Sequence, residues 1–174
     1  RREMCIGASP KVTERGARRP VTEGRQAAWT ATHGAEWGRW FRQMGLGGEG
    51  GQAVMSGVDD KPLLVLDRVG EGRVALLASD HAWLWNRGFE GGGPQLDLLR
   101  RLAHWMMKEP ELEEEALRAE TDGQTITITR RSLAEGARTA EVTGPDGMVT
   151  QVPLDEVEPG RFTGVFEGPE VGLY

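Results

Sequence analysis

The alternation of apolar and polar positions predicts the clearest elements in the middle of the chain. Pro62–Val69 reads PLLVLDRV, and Arg73–Ser79 reads RVALLAS after the turn Gly70-Glu71-Gly72. Two apolar runs joined by a short glycine-containing turn are typical of a β-hairpin. Gln52–Ser56 precedes them as a further short strand. Because neither hairpin strand alternates cleanly, we expect both faces of this sheet to be covered in a layered α/β core.

Helical spacing appears on both sides of the hairpin. An aromatic stripe at i, i+3, i+4 and i+7 predicts a short amphipathic helix through Trp37, Trp40, Phe41 and Met44. Pro94 opens a second helix, and Pro110 ends it. Its apolar stripe is broad enough to pack on a sheet, and comprises Leu98, Leu99, Leu102, Ala103, Trp105 and Met106. Residues 1–34 lack sustained periodicity, and we expect them to be largely loop.

The apolar period changes to two after an acidic linker at residues 111–115. Gln124–Arg130 (QTITITR) alternates strictly, as a half-exposed antiparallel strand does. Further strands are expected at 139–143, 148–154, 161–166 and 171–174. Strands at this interval predict an immunoglobulin-like sandwich, which needs about 100 residues. We therefore expect residues 116–174 to form an incomplete sandwich whose missing strands come from elsewhere.

Composition limits the class of protein. The chain has 174 residues, of which 38% are hydrophobic, and it contains 25 glycines and nine prolines, which indicates extensive loops. Its six tryptophans argue against a disordered chain. Cys5 is the only cysteine, so no disulfide forms within one chain. No apolar run approaches the roughly 18 residues of a membrane span.

Charge is spread unevenly along the chain. The first 48 residues carry nine Lys and Arg against four Asp and Glu, whereas the last 64 carry five against fourteen. The basic segment has no interleaved aromatic residues on which bases could stack. The acidic end disfavours both nucleic acid and an anionic membrane surface. We therefore expect no nucleic-acid partner.

His81 is the candidate catalytic group, because it follows a strand end, where α/β folds place ligands and catalytic side chains. With Asp80, Trp83 and Trp85 it forms the candidate ligand-binding set. The alternative is a structural histidine with tryptophans that fill the core. Ser79-Asp80-His81 is not expected to form a catalytic relay, because consecutive side chains in an extended segment point in opposite directions.

Other chemical motifs are weak. Cys5 has one glycine of a nucleophile elbow, Gly7, and no preceding strand in the sequence pattern. The three histidines lack metal-ligand spacing, so we expect no metal and no cofactor. The glycine run at 45–51 is a poor phosphate loop. Gly91–Pro94 precedes a helix, so its amides could hold an anion, although a hinge is the favoured interpretation.

A longer pattern carries a family resemblance. The segment PLLVLDRVGEGRVALLASDHAWLW and the later GFEGGGPQLDLLRRLAHWMMKEPELEEEAL resemble the last part of a glutamine amidotransferase-like domain. That domain occurs in large, largely uncharacterised bacterial membrane proteins, and is similar to class I amidotransferases and ThuA-like proteins. The similarity is strongest over residues 52–118. It implies a partial flavodoxin-like α/β layer over residues 1–110, followed by the β domain at 116–174.

The resemblance also implies what is missing. Class I amidotransferases use an elbow cysteine and a histidine-x-glutamate motif. His81 lies where that histidine would fall, but Trp83 stands where the glutamate would be. The sheet that carries the elbow is expected upstream of residue 1, so this chain would be the tail of a larger α/β body without a working triad.

These observations favour a non-catalytic binding or assembly module. The implied context is the soluble portion of a bacterial membrane protein, anchored by segments outside this chain and lying on either side of the membrane. Its partner would be another protein or the rest of the parent chain, and exposed sheet edges would permit homo-oligomers. One alternative is an amidotransferase-like hydrolase fragment that uses His81 with an upstream cysteine. Another is a sugar- or peptide-binding surface at Trp83, Trp85 and Phe89.

Overall fold

The computed structural model describes residues 4–47, 50–134, 136 and 138–174. The fold is mixed and sheet-rich, with few helices. The chain divides into two compact units, Arg1–Glu113 and Glu114–Tyr174. Each unit has its own cluster of buried apolar side chains.

The first unit is built on a four-stranded antiparallel sheet in the order β2-β4-β5-β6. The strands are β2 (Lys11–Val12), β4 (Gln52–Ser56), β5 (Pro62–Val69) and β6 (Gly72–Leu77). The hairpin expected at β5 and β6 is confirmed, with Val69 paired to Gly72 across the turn. Gly70 takes a φ of +56°, which suits glycine in so tight a connection.

Within the described part of the first unit, four α-helices accompany this sheet: α1 (Glu14–Ala17), α2 (Arg25–His33), α3 (Trp83–Asn86) and α4 (Gln95–Met106). Short 3-10 helices lie at Val58–Asp60, Phe89–Gly91 and Pro110–Leu112. The helix expected after Pro94 is confirmed as α4. Its buried side chains are Leu98, Leu102 and Trp105, whereas Leu99 and Met106 are exposed. The stripe is thus narrower than the sequence suggested.

Two expectations for the N-terminal region are wrong. The segment taken as loop contains β1 (Met4–Ala8), β2, α1 and α2. The aromatic stripe expected to be a helix instead forms strand β3 (Trp40–Met44), which pairs antiparallel with β1. The strand is stabilised by long-range partners: Met44 N donates to Ala78 O at 2.9 Å, and the buried Gln43 amide donates to Pro62 O at 3.0 Å. Tertiary contacts here override the local helical spacing.

Coverage of the sheet in the first unit is uneven. Met55, Leu64 and Leu66 are almost fully buried in one cluster with α4. By contrast, β6 alternates, and its outward Val74 and Leu76 are each 49% exposed. The expectation that both faces of the hairpin are covered is therefore wrong at β6, which is an edge strand.

The described residues of the second unit form six strands: β7 (Ala116–Asp122), β8 (Thr125–Arg131), β9 (Thr139–Thr143), β10 (Val149–Pro153), β11 (Asp155–Glu158) and β12 (Arg161–Glu167). Four form a sheet in the order β11-β12-β8-β7, and β9 pairs with β10 in a second sheet. The strands expected between 124 and 166 are present. The strand expected at 171–174 is absent, and Tyr174 instead hydrogen-bonds through its hydroxyl to the backbone of Glu170.

Strict alternation places one face of β8 in the core of the second unit. Ile126 and Ile128 are buried with Phe162 of β12, and Ala140 and Val152 of the smaller sheet belong to the same cluster. Gly164 of β12 leaves space for this packing, because a Cβ there would lie 2.5 Å from Pro153 O.

The acidic stretch at 111–115 includes packed residues. Leu112 is buried in the first unit, and the Glu113 carboxylate lies 2.5 Å from Arg73 Nη2. Within the second unit, Glu115 Oε1 accepts a hydrogen bond from Ser132 Oγ at 3.0 Å. The division between the units falls between Glu113 and Glu114.

Truncating Leu66 to alanine tests the core of the first unit. Leu66 has no exposed surface, so we expect L66A to lower the free energy of unfolding by about 2–5 kcal/mol. The matched control is V69A on the same strand, where Val69 is 65% exposed and the expected change is within about 0.5 kcal/mol. Urea denaturation followed by tryptophan fluorescence measures both. Equal effects would contradict the assigned burial.

Candidate functional site

The candidate site lies where β6 ends and α3 begins. Ser79 is buried at this junction, and its hydroxyl donates to Arg42 O at 2.5 Å. The same hydroxyl accepts from His81 N at 3.2 Å. Two bonds from one side chain thus fix the turn after β6 against β3 and orient the residues that follow.

Asp80 joins an imidazole and a guanidinium. Its Oδ1 lies 2.5 Å from His81 Nδ1, and its Oδ2 accepts from Arg42 Nη2 at 2.9 Å. The expectation that consecutive residues could not align is wrong for Asp80 and His81, because the chain turns here into α3 rather than continuing as a strand. A carboxylate at Nδ1 favours the tautomer with a proton on that nitrogen and orients the ring.

The pKa of Asp80 reflects these contacts. Desolvation raises the pKa of Asp80. The hydrogen bonds from His81 and from the backbone lower it by a larger amount, together with the charges of Arg42 and His81. The pKa of this carboxyl therefore lies below its usual value. Asp80 is therefore ionised at neutral pH. The site presents an anion that is already paired with a cation.

Aromatic side chains surround the His81 ring. The ring centroid of Phe41 lies 5.0 Å from that of His81 and 5.6 Å from that of Phe89. Trp83 lies 6.4 Å from His81 and is 49% exposed. We call Phe41, Arg42, Asp80, His81 and Trp83 the His81 surface.

Trp85 does not belong to the His81 surface. It is 3% exposed, its Nε1 donates to Gly38 O at 2.9 Å, and its ring lies 4.4 Å from that of Trp40. A Cβ on Gly93 would lie 2.5 Å from the Trp85 ring, so the backbone also packs closely against it. Of the four residues expected to bind ligand, Asp80, His81 and Trp83 come together at the surface, and Trp85 is a core residue.

Sequence reasoning missed Arg42 and Phe41. Both lie on β3, which the helical spacing concealed, and they reach Asp80 and His81 from about 40 residues away in the chain. The sequence carried a local signal for Asp80 and His81 alone, namely a carboxylate directly before a histidine at a strand end. It carried no such signal for the two residues of β3.

The remaining candidates are Cys5, the glycine run at 45–51 and the glycines before α4. Cys5 is in β1, where its backbone pairs with Gln43, while Ile6 pairs with Arg42. The Cys5 side chain lies outside the described part of the structure. The glycine run at 45–51 connects β3 to β4, and residues 48 and 49 likewise lie outside it.

Several amides before α4 are used within the fold. Gly91 N and Gly92 N donate to Gly88 O and Phe89 O, and Gln95 N donates to Gly93 O. Asp97 occupies the first turn of α4, where Arg25 Nη1 donates to it at 2.7 Å. Partial burial raises the pKa of Asp97, whereas the hydrogen bonds from Arg25 and Arg100 lower it by a larger amount. The pKa of Asp97 therefore lies below its usual value. The Asp97 carboxylate is thus paired with arginine side chains in the first turn of α4.

No group of three or more histidine, cysteine, aspartate or glutamate side chains suited to a metal occurs among the described residues. No helix within the described ranges is long and apolar enough to cross a membrane.

Comparison with protein-family models, with curated proteins and with solved structures shows no match to this chain. The candidate site is therefore interpreted from its own chemistry.

Replacing the partners of Asp80 tests its electrostatics. We expect H81F to raise the pKa of Asp80, because it removes the side-chain hydrogen bond from His81, and R42Q to raise it less, because it removes one nearby charge. The ionised Asp80 carboxylate keeps its contacts at neutral pH and loses them as the pH falls through its lowered pKa. In each variant the remaining contact is therefore lost at a higher pH.

A ¹³C NMR titration of the Asp80 carboxyl measures these shifts. The control is R39Q, since Arg39 pairs with Glu90 at 3.0 Å and not with Asp80. A midpoint that is unchanged in H81F would contradict the assigned geometry.

Proposed function

We propose that this chain is a non-catalytic binding and assembly module of a larger, membrane-anchored bacterial protein. The observation that carries the proposal is the His81 surface, in which exposed aromatic rings flank an ion-paired carboxylate. The two carboxylate oxygens of Asp80 already accept hydrogen bonds, one from His81 and one from Arg42. An arrangement that is internally neutralised suits recognition of a polar ligand with a flat apolar face.

Sugar rings and planar peptide groups are ligands of that kind. Trp83 offers about half of its surface for stacking, and Arg87 lies over the same ring at 5.4 Å. Asp80 is exposed and retains lone pairs on both oxygens. Binding pockets of this chemistry combine aromatic contact with a few directional polar groups. Phe89 supports Phe41 by an edge contact.

The finer fold assignments are part of the same proposal. We take the first unit as part of a flavodoxin-like, amidotransferase-like layer and the second as an incomplete immunoglobulin-like sandwich. The half-exposed Val74 and Leu76 on β6 support a further layer over the first sheet. The β5–β6 pair is antiparallel. Mixed sheets of α/β proteins often carry antiparallel strands at their edges, so this pairing is compatible with such a sheet. In the second unit, a four-stranded sheet faces a two-stranded one, with antiparallel pairs throughout.

The proposed partners follow from the open edges. A protein partner, the rest of the parent chain or a second copy would complete the sheets, and membrane attachment would come through segments outside these residues. We propose no nucleic-acid partner, because the second unit carries a strong acidic excess.

A second candidate is a hydrolase fragment related to amidotransferases. The observation that favours it is the 2.5 Å contact between Asp80 Oδ1 and His81 Nδ1, because a carboxylate in that position orients a histidine that acts as a general base. Asp80 would then replace the glutamate that Trp83 displaces. Catalysis would also need a nucleophile within hydrogen-bond reach of His81 Nε2.

Glutamine hydrolysis separates the two candidates. We expect no ammonia release above background from the purified chain or from the longest reading frame that contains it, and no difference in H81A. A coupled glutamate dehydrogenase assay measures the product. Glutamine hydrolysis that disappears in H81A and in D80N would overturn the binding proposal and establish the hydrolase.

Oligosaccharide titration tests the binding surface directly. We expect maltohexaose, cellohexaose or chitohexaose to bind with an affinity that W83A weakens by about tenfold, because the exposed indole supplies the stacking contact. Isothermal titration calorimetry measures the affinity, and W29A is the matched control, since Trp29 stacks on His33 elsewhere in the first unit. Equal weakening by both variants would place any binding away from the His81 surface.

A further inference from the structure

The second unit leaves part of its inner sheet face uncovered. The register of β7 with β8 pairs Leu117 with Arg130, Ala119 with Ile128 and Thr121 with Ile126. Directly opposed residues share a face of an antiparallel sheet. Because Ile126 and Ile128 are buried, the β7 residues beside them also face inward.

Those inward-facing β7 residues are nevertheless exposed. Leu117 is 65% exposed, and Ala119 and Thr121 are exposed as well. The reason is the width of the opposing sheet. Its two strands, β9 and β10, cover β8 and β12, as the shared burial of Ala140 and Val152 with Ile128 and Phe162 shows. Over β7 the second layer is missing in the described part of the unit.

The strand next to this gap has a free edge. Among the described residues, β9 pairs with β10 alone. Gly144 N donates to Met148 O at 2.9 Å, and Leu154 N donates to Arg138 O at 2.8 Å, at the two ends of the ladder. Since bonded and non-bonded pairs alternate in an antiparallel ladder, Ala140 and Val142 bond to β10. The backbone groups of Thr139, Glu141 and Thr143 therefore point away from β10, toward the gap.

A cleft of about 720 Å³ lies at this gap. Its lining includes Ala116, Leu117, Arg130, Thr139, Ala140 and Glu141. Arg130 is half-buried on the inward face, and its Nη1 reaches Thr139 O at 3.4 Å, which is a weak contact. The cleft thus combines an apolar floor, a row of backbone donors and acceptors, and charged side chains of both signs, among them Arg130.

We propose that this cleft is an acceptor groove for one extended β-strand of a partner polypeptide. The inference rests on the proposed assembly function and specifies its surface. The donated strand would pair with Thr139, Glu141 and Thr143, place apolar side chains over Leu117 and Ala119, and set an acidic group beside Arg130. Strand addition of this kind takes affinity from backbone hydrogen bonds and specificity from alternate side chains.

Symmetric pairing of β9 with β9 of a second copy does not fit the groove. Pairing β9 with β9 of another copy would bring that copy's Ala140 and Val142 toward the exposed β7. In each copy those side chains already pack against Ile126 and Ile128 of their own unit. The strand that occupies the groove must therefore have inward-facing side chains that are not already buried in another core. An extended segment of a partner meets this requirement.

A synthetic peptide serves as the probe. It is about nine residues long, enough to span β9, alternates valine with threonine and carries glutamate at both ends. We expect it to bind the full chain and to slow hydrogen exchange at the amides of Glu141 and Thr143, followed residue by residue by ¹⁵N NMR. The peptide control has the same composition with its valines contiguous.

Matched variants locate the binding. L117D places a charge on the groove floor without disturbing a buried residue, and we expect it to weaken peptide binding by about tenfold or more. V157D is the control, because Val157 on β11 is 54% exposed and lies outside the groove lining. We expect V157D to bind as the unmodified chain does.

Three results would overturn the proposal: no protection of Glu141 and Thr143 with the peptide, equal binding by L117D and V157D, or protection that rises with protein concentration alone and so indicates a second copy. The glutamine and oligosaccharide experiments address the first unit. Failure of this proposal is therefore distinguishable from failure of the proposed ligand-binding function.

Discussion

The need to cover apolar sheet faces governs both units of this chain. A β-sheet that buries one face gains stability in proportion to the apolar area removed from water. In the first unit, α4 covers Leu64 and Leu66, while Val74 and Leu76 on the edge strand stay half exposed. In the second unit, β9 and β10 cover β8 and β12, while Leu117 on β7 stays exposed. In each case coverage ends at an edge strand, and that is where a partner gains most by binding.

The His81 surface follows from the same architecture. β3 is held beside the end of β6 by the bond from Met44 N to Ala78 O and by the bond from Ser79 Oγ to Arg42 O. That placement sets Arg42 against Asp80 and Phe41 against His81. The carboxylate-imidazole contact is compatible with both binding and proton transfer. The two functions differ in one physical requirement: proton transfer in a hydrolase needs a nucleophile near His81 Nε2, whereas binding does not.

Elements defined by contacts close in the chain were predictable. The β5–β6 hairpin depends on a turn of two residues, and α4 depends on Pro94, on its own apolar spacing and on Pro110. The alternating strand at Thr125–Arg131 carries its burial pattern in its sequence. By contrast, Trp40 and Phe41 have a spacing that fits a helix, and long-range contacts make that segment a strand: its pairing with β1 and its hydrogen bonds to Ala78 and Pro62. The contact between Asp80 and His81 was not expected, because an extended backbone separates adjacent side chains, and the turn into α3 removes that separation.

The sequence by itself determined the hairpin, the helix after Pro94, the change of period near residue 116 and the position of His81 at a strand end. These features depend on local backbone preferences and on apolar periodicity, which need no knowledge of distant partners. The tertiary structure decided that Trp85 is buried, that Asp80 orients His81, that Arg42 neutralises Asp80 and that, among the described strands, β9 pairs with β10 alone. Those outcomes depend on which strands meet and where each sheet ends, and such contacts form between residues far apart in the chain.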